Sequence, residues 1–327
     1  MPGSVREART SVQTFLVCTF SLSAMFYLLM MQAGKVDAMG GLYRFGLMWS
    51  PAAGALAALY ARRGSIESLG WKWNFEEQRE SILIPLAYAS GAYAIIWLLG
   101  IVAYPNYDFI DKLVTDLYLD DYPRIAAVLE YLAVVCTVGL VQAAASVLGE
   151  EIGWRGFLVP ELFKLESFTR TALASGLLWA LWALPLMLLT QHELGTIDWL
   201  SIGYRTVMMI AIAVALAWLR LRSGSVWSTV TFHACHSVLV QAILTPLTIV
   251  PPTGRIMVGE YGPALAITTT IVAVVVWRRG LALDKRRTGS RHVSAGQFHD
   301  VILRTTAPLP SRHGGEPVVL RGVAHRR

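Results

Sequence analysis

Runs of about twenty apolar residues, the length an α-helix needs to cross a bilayer, recur along most of this chain. They fall near Thr14–Met31, Tyr43–Tyr60, Ile82–Tyr104, Ile125–Leu148, Thr171–Leu189, Trp199–Leu219, Val226–Leu247 and Gly262–Trp277. In lipid every backbone N–H and C=O must find its partner within the protein, so such runs fold as helices. Composition agrees: 55% of the 327 residues are hydrophobic and only 15% are charged, against about 25% charged in a soluble domain. The mean hydropathy is +0.50. Water cannot solvate such a surface. The chain is therefore expected to be all-α, a polytopic membrane helix bundle of about eight transmembrane helices.

Charges between the runs predict orientation. One set of connections carries Arg6 and Arg9, Arg62 and Arg63, Arg155 with Lys164 and Arg170, Arg220 and Arg222, then Arg278, Arg279 and Lys285 to Arg287. The alternate set carries Asp108, Asp111, Asp116, Asp120 and Asp121, then Glu193 and Asp198. Basic loops stay on the cytoplasmic side, so both termini are predicted to be cytoplasmic, with the cell inner membrane as the expected location. The first run begins like a signal peptide but exceeds a usual apolar signal core, and is expected to be an anchor. The net charge of +6 then faces anionic membrane lipid and does not indicate nucleic acid.

Cys18, Cys136 and Cys235 each lie in an apolar run, which predicts buried thiols without a disulfide framework or a cysteine-rich metal site. Residues 1–124 are read as N-terminal transmembrane helices and 246–280 as the last one. Residues 281–327, rich in Arg, Gly, Pro and Ser, are expected to be a disordered basic tail. Its His292, His299, His313 and His325 are irregularly spaced and are given no metal role. Gly91, Gly100 and Gly139 are expected to permit close helix contact, and Pro185 to kink the fifth span.

Ionisable groups inside membrane spans are costly and so mark candidate sites. The first is Gly149-Glu150-Glu151-Ile152-Gly153-Trp154-Arg155-Gly156. Glu151 and Arg155 are four residues apart, share a helix face and can pair. Glu150 points about 100° away from Glu151. It is the carboxylate less well placed for neutralisation by Arg155, and so a candidate general base. The alternative is a solvated charged turn at the interface. The second candidate lies in the seventh run, where His233, His236 and Ser237 fall within one helical face. They could serve as metal ligands or proton carriers, or join helices by hydrogen bonds. The third is Arg205, expected to snorkel to the membrane interface.

These residues resemble the motifs of the CPBP intramembrane proteases, also called the CAAX-protease and bacteriocin-processing or Abi family. The family's first motif, Glu-Glu-x-x-x-Arg, is matched by Glu150, Glu151 and Arg155. The His that opens its third motif is matched by His233. The resemblance covers about residues 125–245, expected to be the protease core, with a weaker echo at Leu69-Gly70-Trp71. Two positions depart from the pattern. The second motif, an aromatic followed four residues later by His, begins with Trp179 but has Ala183 at the His position. The third motif's closing Asn is Ser237.

The resemblance implies an intramembrane endopeptidase that cleaves a peptide or membrane-protein substrate, with zinc or another divalent metal as its cofactor. Glu150 and His233 would hold and deprotonate a water, directly or through that metal. Ser237 would donate to the oxyanion, while Glu151 and Arg155 brace the site. Glu150 and His233 supply two of the three protein ligands a catalytic zinc usually takes. The third ligand is expected to be His236, in preference to the distant His192. Loss of the second-motif His also keeps open a non-catalytic relative acting as a membrane scaffold or immunity protein.

Overall fold

The computed structural model describes residues 2–73, 75–195, 197–250 and 258–306, with side chains described for 5–73, 75–195, 197–250 and 258–285. Regular structure among them is helical, with one isolated antiparallel bridge between Ala103 and Ile249. The helices are α1 (Pro2–Ala33), α2 (Leu42–Ala61), α3 (Phe75–Leu98), α4 (Tyr107–Asp116), α5 (Arg124–Val134), α6 (Leu140–Glu151), α7 (Val159–Leu165), α8 (Phe168–Glu193), α9 (Trp199–Ser223), α10 (Val226–Ser237) and α11 (Pro263–Thr306). Among the described residues six stretches are long and apolar enough to cross a membrane: Val5–Ala33, Phe75–Leu98, Arg124–Leu165, Phe168–Glu193, Trp199–Ser223 and Pro263–Lys285. The other two expected spans are also helical, as α2 and as α10 with its continuation. Large apolar side chains such as Leu129, Val141, Ile267 and Ile271 face outward and need a lipid surround. The chain is an integral membrane protein.

Local sequence sets several boundaries. Ser167 caps α8, Asp198 caps α9 and Ser225 caps α10, each side-chain oxygen accepting a backbone N–H of the first turn. Gly224, at φ +70, ends α9 in the left-handed conformation that glycine adopts without strain. Three segments are wound more loosely, with i→i+5 bonding: Val135–Gly139, Ile152–Leu158 and Val238–Leu244. Such wide turns rotate every residue beyond them relative to an α-helix and are frequent at functional sites.

Residues Met1–Asp284 form one compact unit. Within it α1 packs along α2, α8 along α9, and α10 lies on both α3 and α6. α2 also approaches the end of α6 and the turn after it closely. A Cβ on Gly149 would lie 2.7 Å from the Met48 carbonyl oxygen, and one on Gly153 would lie 2.4 Å from Pro51 Cβ. Gly149 and Gly153, four apart, therefore form the small-residue seam that lets two backbones touch. Gly176 does the same for α8 and α9, 3.0 Å from Ala213 Cβ. The glycines expected to do so do not. Gly91 and Gly100 have nothing within 4 Å, and Gly139 meets only its own helix. Those three sit in runs apolar on every side, where hydropathy does not distinguish the lipid face from the packed one.

Lys285–Arg327 is a separate unit. It is helical to Thr306, so residues 281–306 of the stretch expected to be disordered continue α11. No proline interrupts the chain between Pro263 and Pro308, and Arg, Lys and Leu favour helix. Residues 307–327 of that tail, with His313 and His325, lie outside the described residues.

Gly153→Ala is expected to lower stability by about 1–3 kcal/mol through overpacking against α2. Gly91→Ala, in open space, is expected to cost nothing. Thermal unfolding of the two purified variants checks the contrast.

Candidate active site

The first candidate cluster is not a solvated turn. Glu151 and Arg155 are fully buried and Glu150 is 6% exposed. Glu150 and Glu151 close α6, and Arg155 sits in the wide turn Ile152–Leu158, all seven residues of which are buried. Arg155 Nη1 donates to Glu151 Oε1 at 3.0 Å, the pair expected from their spacing. The same oxygen is 2.9 Å from Nδ1 of His233 on α10. One carboxylate oxygen thus meets a guanidinium four residues further along the chain and an imidazole 82 residues away on another helix. Glu151 Oε2 and Arg155 Nε and Nη2 have no protein partner.

Trp179 of α8 touches Glu150, Arg155 and His233. Its Nε1 donates to Glu150 Oε2 at 2.7 Å. The Arg155 guanidinium carbon lies 4.2 Å from the centroid of its ring, a cation–π arrangement. His233 meets the ring edge-on at 5.4 Å. The aromatic position of the second motif therefore carries both a hydrogen-bond donor for one acid and a face for the cation.

Glu150 and His233 line one cavity of about 850 Å³ together with Ala183, Ser237, Arg205 and Glu260. Ser237 donates its hydroxyl to the His233 carbonyl at 3.1 Å. His192, at the end of α8, is exposed and does not line this cavity.

His236 is not where the metal-ligand expectation put it. Its Nδ1 is 2.8 Å from the Tyr88 hydroxyl and its Nε2 is 3.2 Å from Glu260 Oε1. Three residues along a helix is a rotation of about 300°. That 60° offset is enough to turn one imidazole toward Glu151 and the other toward α3. Both nitrogens of His236 are engaged, so Glu150, His233 and His236 do not converge as a ligand set. Among the described residues no three His, Cys, Asp or Glu side chains are grouped to hold a metal ion. Glu150 and His233 offer two donors where a catalytic zinc takes about three from protein, and Ala183 offers none. The donor set does not fit a resident zinc.

Arg205 also departs from expectation. It does not snorkel outward but pairs with Glu260, with its guanidinium carbon 4.8 Å from the Tyr261 ring centroid. Glu260, just before α11, went unrecognised in the sequence. It accepts from Gln241 Nε2 at 2.7 Å as well as facing His236. Its only sequence signal was a lone acid between two glycines in a short connection. Burial by itself would raise the Glu260 carboxyl. The Arg205 guanidinium, then the contacts to His236 and Gln241, hold it well below the usual carboxylate range.

Two stability predictions follow from these pairings. Glu151→Gln leaves the Arg155 charge buried without its carboxylate and is expected to cost about 3–5 kcal/mol, read from denaturant unfolding. Because the folded Glu260 carboxyl ionises more readily than the unfolded one, its stabilisation is fully present above about pH 4.3 and lost as pH falls below that. Melting temperature against pH should fall less steeply on the acid side in Glu260→Gln than in the parent.

Residues 131–239, a third of the chain, match the family model for type II CAAX prenyl endopeptidases, described as Rce1-like. The matched stretch contains Glu150, Glu151, Arg155, Trp179, Ala183, His233 and Ser237, and ends before Glu260. No curated protein matches the chain. The cluster that α6, α8 and α10 assemble therefore lies wholly within the stretch that matches this Rce1-like CAAX prenyl endopeptidase domain, a match to the CPBP or CAAX-protease family over residues 131–239.

Proposed function

We propose that this chain is an intramembrane endopeptidase in which Glu150 activates water without a resident metal. The observation that carries this reading is the shared cavity: Glu150 and His233, from α6 and α10, line one space beside Ala183 and Ser237. Glu151 Oε1 is paired with a guanidinium, and a carboxylate oxygen so engaged accepts hydrogen bonds. His233 accordingly carries its proton on Nδ1 when neutral and presents the lone pair of Nε2. That nitrogen orients a water beside Glu150. Glu150 takes one proton as the oxygen attacks the peptide carbonyl carbon. The C–O bond forms, the carbonyl becomes an oxyanion, and the Ser237 hydroxyl turns from the His233 carbonyl to donate to it. Collapse of the intermediate breaks the C–N bond, and Glu150 returns its proton to the departing amine. Trp179 limits Glu150 to the cavity side by holding Oε2, and the Glu151–Arg155 pair holds His233.

The substrate is a peptide or membrane-protein segment entering from the bilayer, with membrane lipid as the surrounding partner. The basic connections support the inner-membrane placement with both termini cytoplasmic. A second reading, a catalytically degenerate scaffold or immunity protein, rests on Ala183. Its side chain lines the cavity where the family's motif has an imidazole.

The test is cleavage of membrane-tethered peptides by the purified, reconstituted protein. The parent is expected to cleave, to retain activity in a metal chelator, and to lose about 10²–10⁴-fold in Glu150→Gln. An inactive parent rescued by Ala183→His would establish the scaffold reading. Chelator inactivation reversed by zinc would overturn the metal-free mechanism.

A further inference from the structure

Pro160 creates a specific deficit behind the site. It lies in the first turn of α7, directly after the wide turn that carries Arg155. The residue at position 160 would normally donate its N–H to the carbonyl of Gly156 in α-helical bonding, or of Arg155 in i→i+5 bonding. Proline has no N–H to give. Both carbonyls are satisfied instead by one side chain from α9. Arg220 Nε donates to the Arg155 carbonyl at 3.0 Å, and Nη2 reaches the Gly156 carbonyl at 3.4 Å. Nη2 also reaches the carbonyls of Ser68 and Leu69, at 3.3 and 3.2 Å. Arg220 is 6% exposed. All four of these acceptors are backbone oxygens.

The surroundings are shaped to this guanidinium. Gly70 has φ +85, and a Cβ there would lie 2.9 Å from Arg220 Nη2 and 2.3 Å from the Gly224 carbonyl oxygen. The Gly70 carbonyl in turn accepts from Val226 N at 2.8 Å, at the start of the helix that carries His233. The guanidinium therefore joins three pieces of backbone. They are the turn bearing Arg155, the 68–70 connection, and α9, which leads through Gly224 to α10.

We propose that Arg220 is a positioning residue for the hydrolytic centre: it replaces the N–H that Pro160 lacks, and so fixes the Arg155–Glu151–His233 chain of contacts from behind. The claim rests on the proposed function only for its kinetic consequence. Its structural content is the register of His233 against Glu151, which can be read without turnover. A guanidinium is suited to the task because its fan of donors serves carbonyls on separate segments at once. A Lys ammonium presents a single point on a flexible stem.

The experiment uses full-length protein with ¹⁵N-labelled histidine, the His233 ring signals being assigned by their loss in His233→Gln. In the parent, His233 should show an Nδ1 proton bonded to a carboxylate. Arg220→Met should lose that signature while remaining helical, and Arg220→Lys should recover it only in part. Gly70→Ala should disturb it by pressing on the same guanidinium. The decisive variant is Arg220→Met with Pro160→Ala, which restores a backbone N–H and should restore the His233 signature. In the cleavage assay, Arg220→Met should lower kcat by about 10²-fold with KM little changed, and Pro160→Ala should recover much of the loss. A folded Arg220→Met with an unaltered His233 signature would overturn the proposal. So would a loss of folding in Arg220→Met that Pro160→Ala does not repair, since the guanidinium would then serve the fold alone. A parent that shows the expected signatures yet cleaves nothing defeats the protease reading and leaves this one standing.

Discussion

One carboxylate oxygen, Oε1 of Glu151, organises the centre of this bundle. It receives the Arg155 guanidinium and the His233 imidazole together. A buried anion is tolerated only when its neighbours satisfy it, because the desolvation of each ion costs several kcal/mol. That requirement acts as a geometric constraint. The oxygen stands at the junction of α6 with a wide turn, and α10 must approach it closely enough to deliver an imidazole. The helix packing is arranged so that this meeting can occur. Gly149 and Gly153 let α2 press against the same junction, which excludes solvent from the ion pair. Arg155 gains a second partner in the Trp179 face, so α8 is tied to the same point.

The two adjacent acids are thereby given different tasks by environment. Glu151 faces its cation and serves as a fixed negative charge. Glu150 is turned away from that cation, and its one described hydrogen bond comes from the neutral indole N–H of Trp179. It lines the cavity instead. Adjacency in sequence produces this division because neighbouring residues on a helix diverge by about 100°. The arrangement places a carboxylate free of a direct ion pair beside an imidazole whose tautomer is fixed by a carboxylate that is not. A second ionic assembly, Glu260 with Arg205, His236 and Gln241, faces the same cavity from another side. Its charges are mutually satisfied, which suits it to shape the cavity and to hold α9, α10 and the start of α11 together.

What the sequence could reveal follows the range of each interaction. Membrane character, helix type and the Glu151–Arg155 pair are local properties, set by apolar run length and a four-residue spacing. The partnership of Glu150 with His233 came from motif resemblance, since no local rule joins residues so far apart. His236, Arg205 and Glu260 were misread or missed for that reason. Tyr88 is 148 residues from His236 and Glu260 is 24 away, and neither distance leaves a periodic trace. The glycines failed differently. A membrane helix is apolar toward lipid and toward its neighbours alike, so the asymmetry that betrays the buried face of a soluble helix is absent. The wide turns left no signal either, and they rotate Arg155 and everything beyond it relative to an unbroken helix.

Ala183 bears on how much chemistry such a site needs. An imidazole there would add a third nitrogen or oxygen donor at the cavity, enough to favour a metal. With a methyl group in its place, the polar groups that remain are those needed to hold a water and accept its proton, and no more. A hydroxide made by a lone carboxylate in a poorly solvated cavity is less accessible than one made on a metal, which lowers the bound water's pKa toward neutrality. Catalysis by this chain would therefore depend more heavily on orientation than on acidity. The value of orientation rises with the rigidity of the groups that impose it. Glu150 is held by Trp179, His233 by Glu151, Glu151 by Arg155, and the backbone of Arg155 by Arg220. A site deprived of a strong Lewis acid and yet braced at each of these points has the construction expected of one that acts by placement.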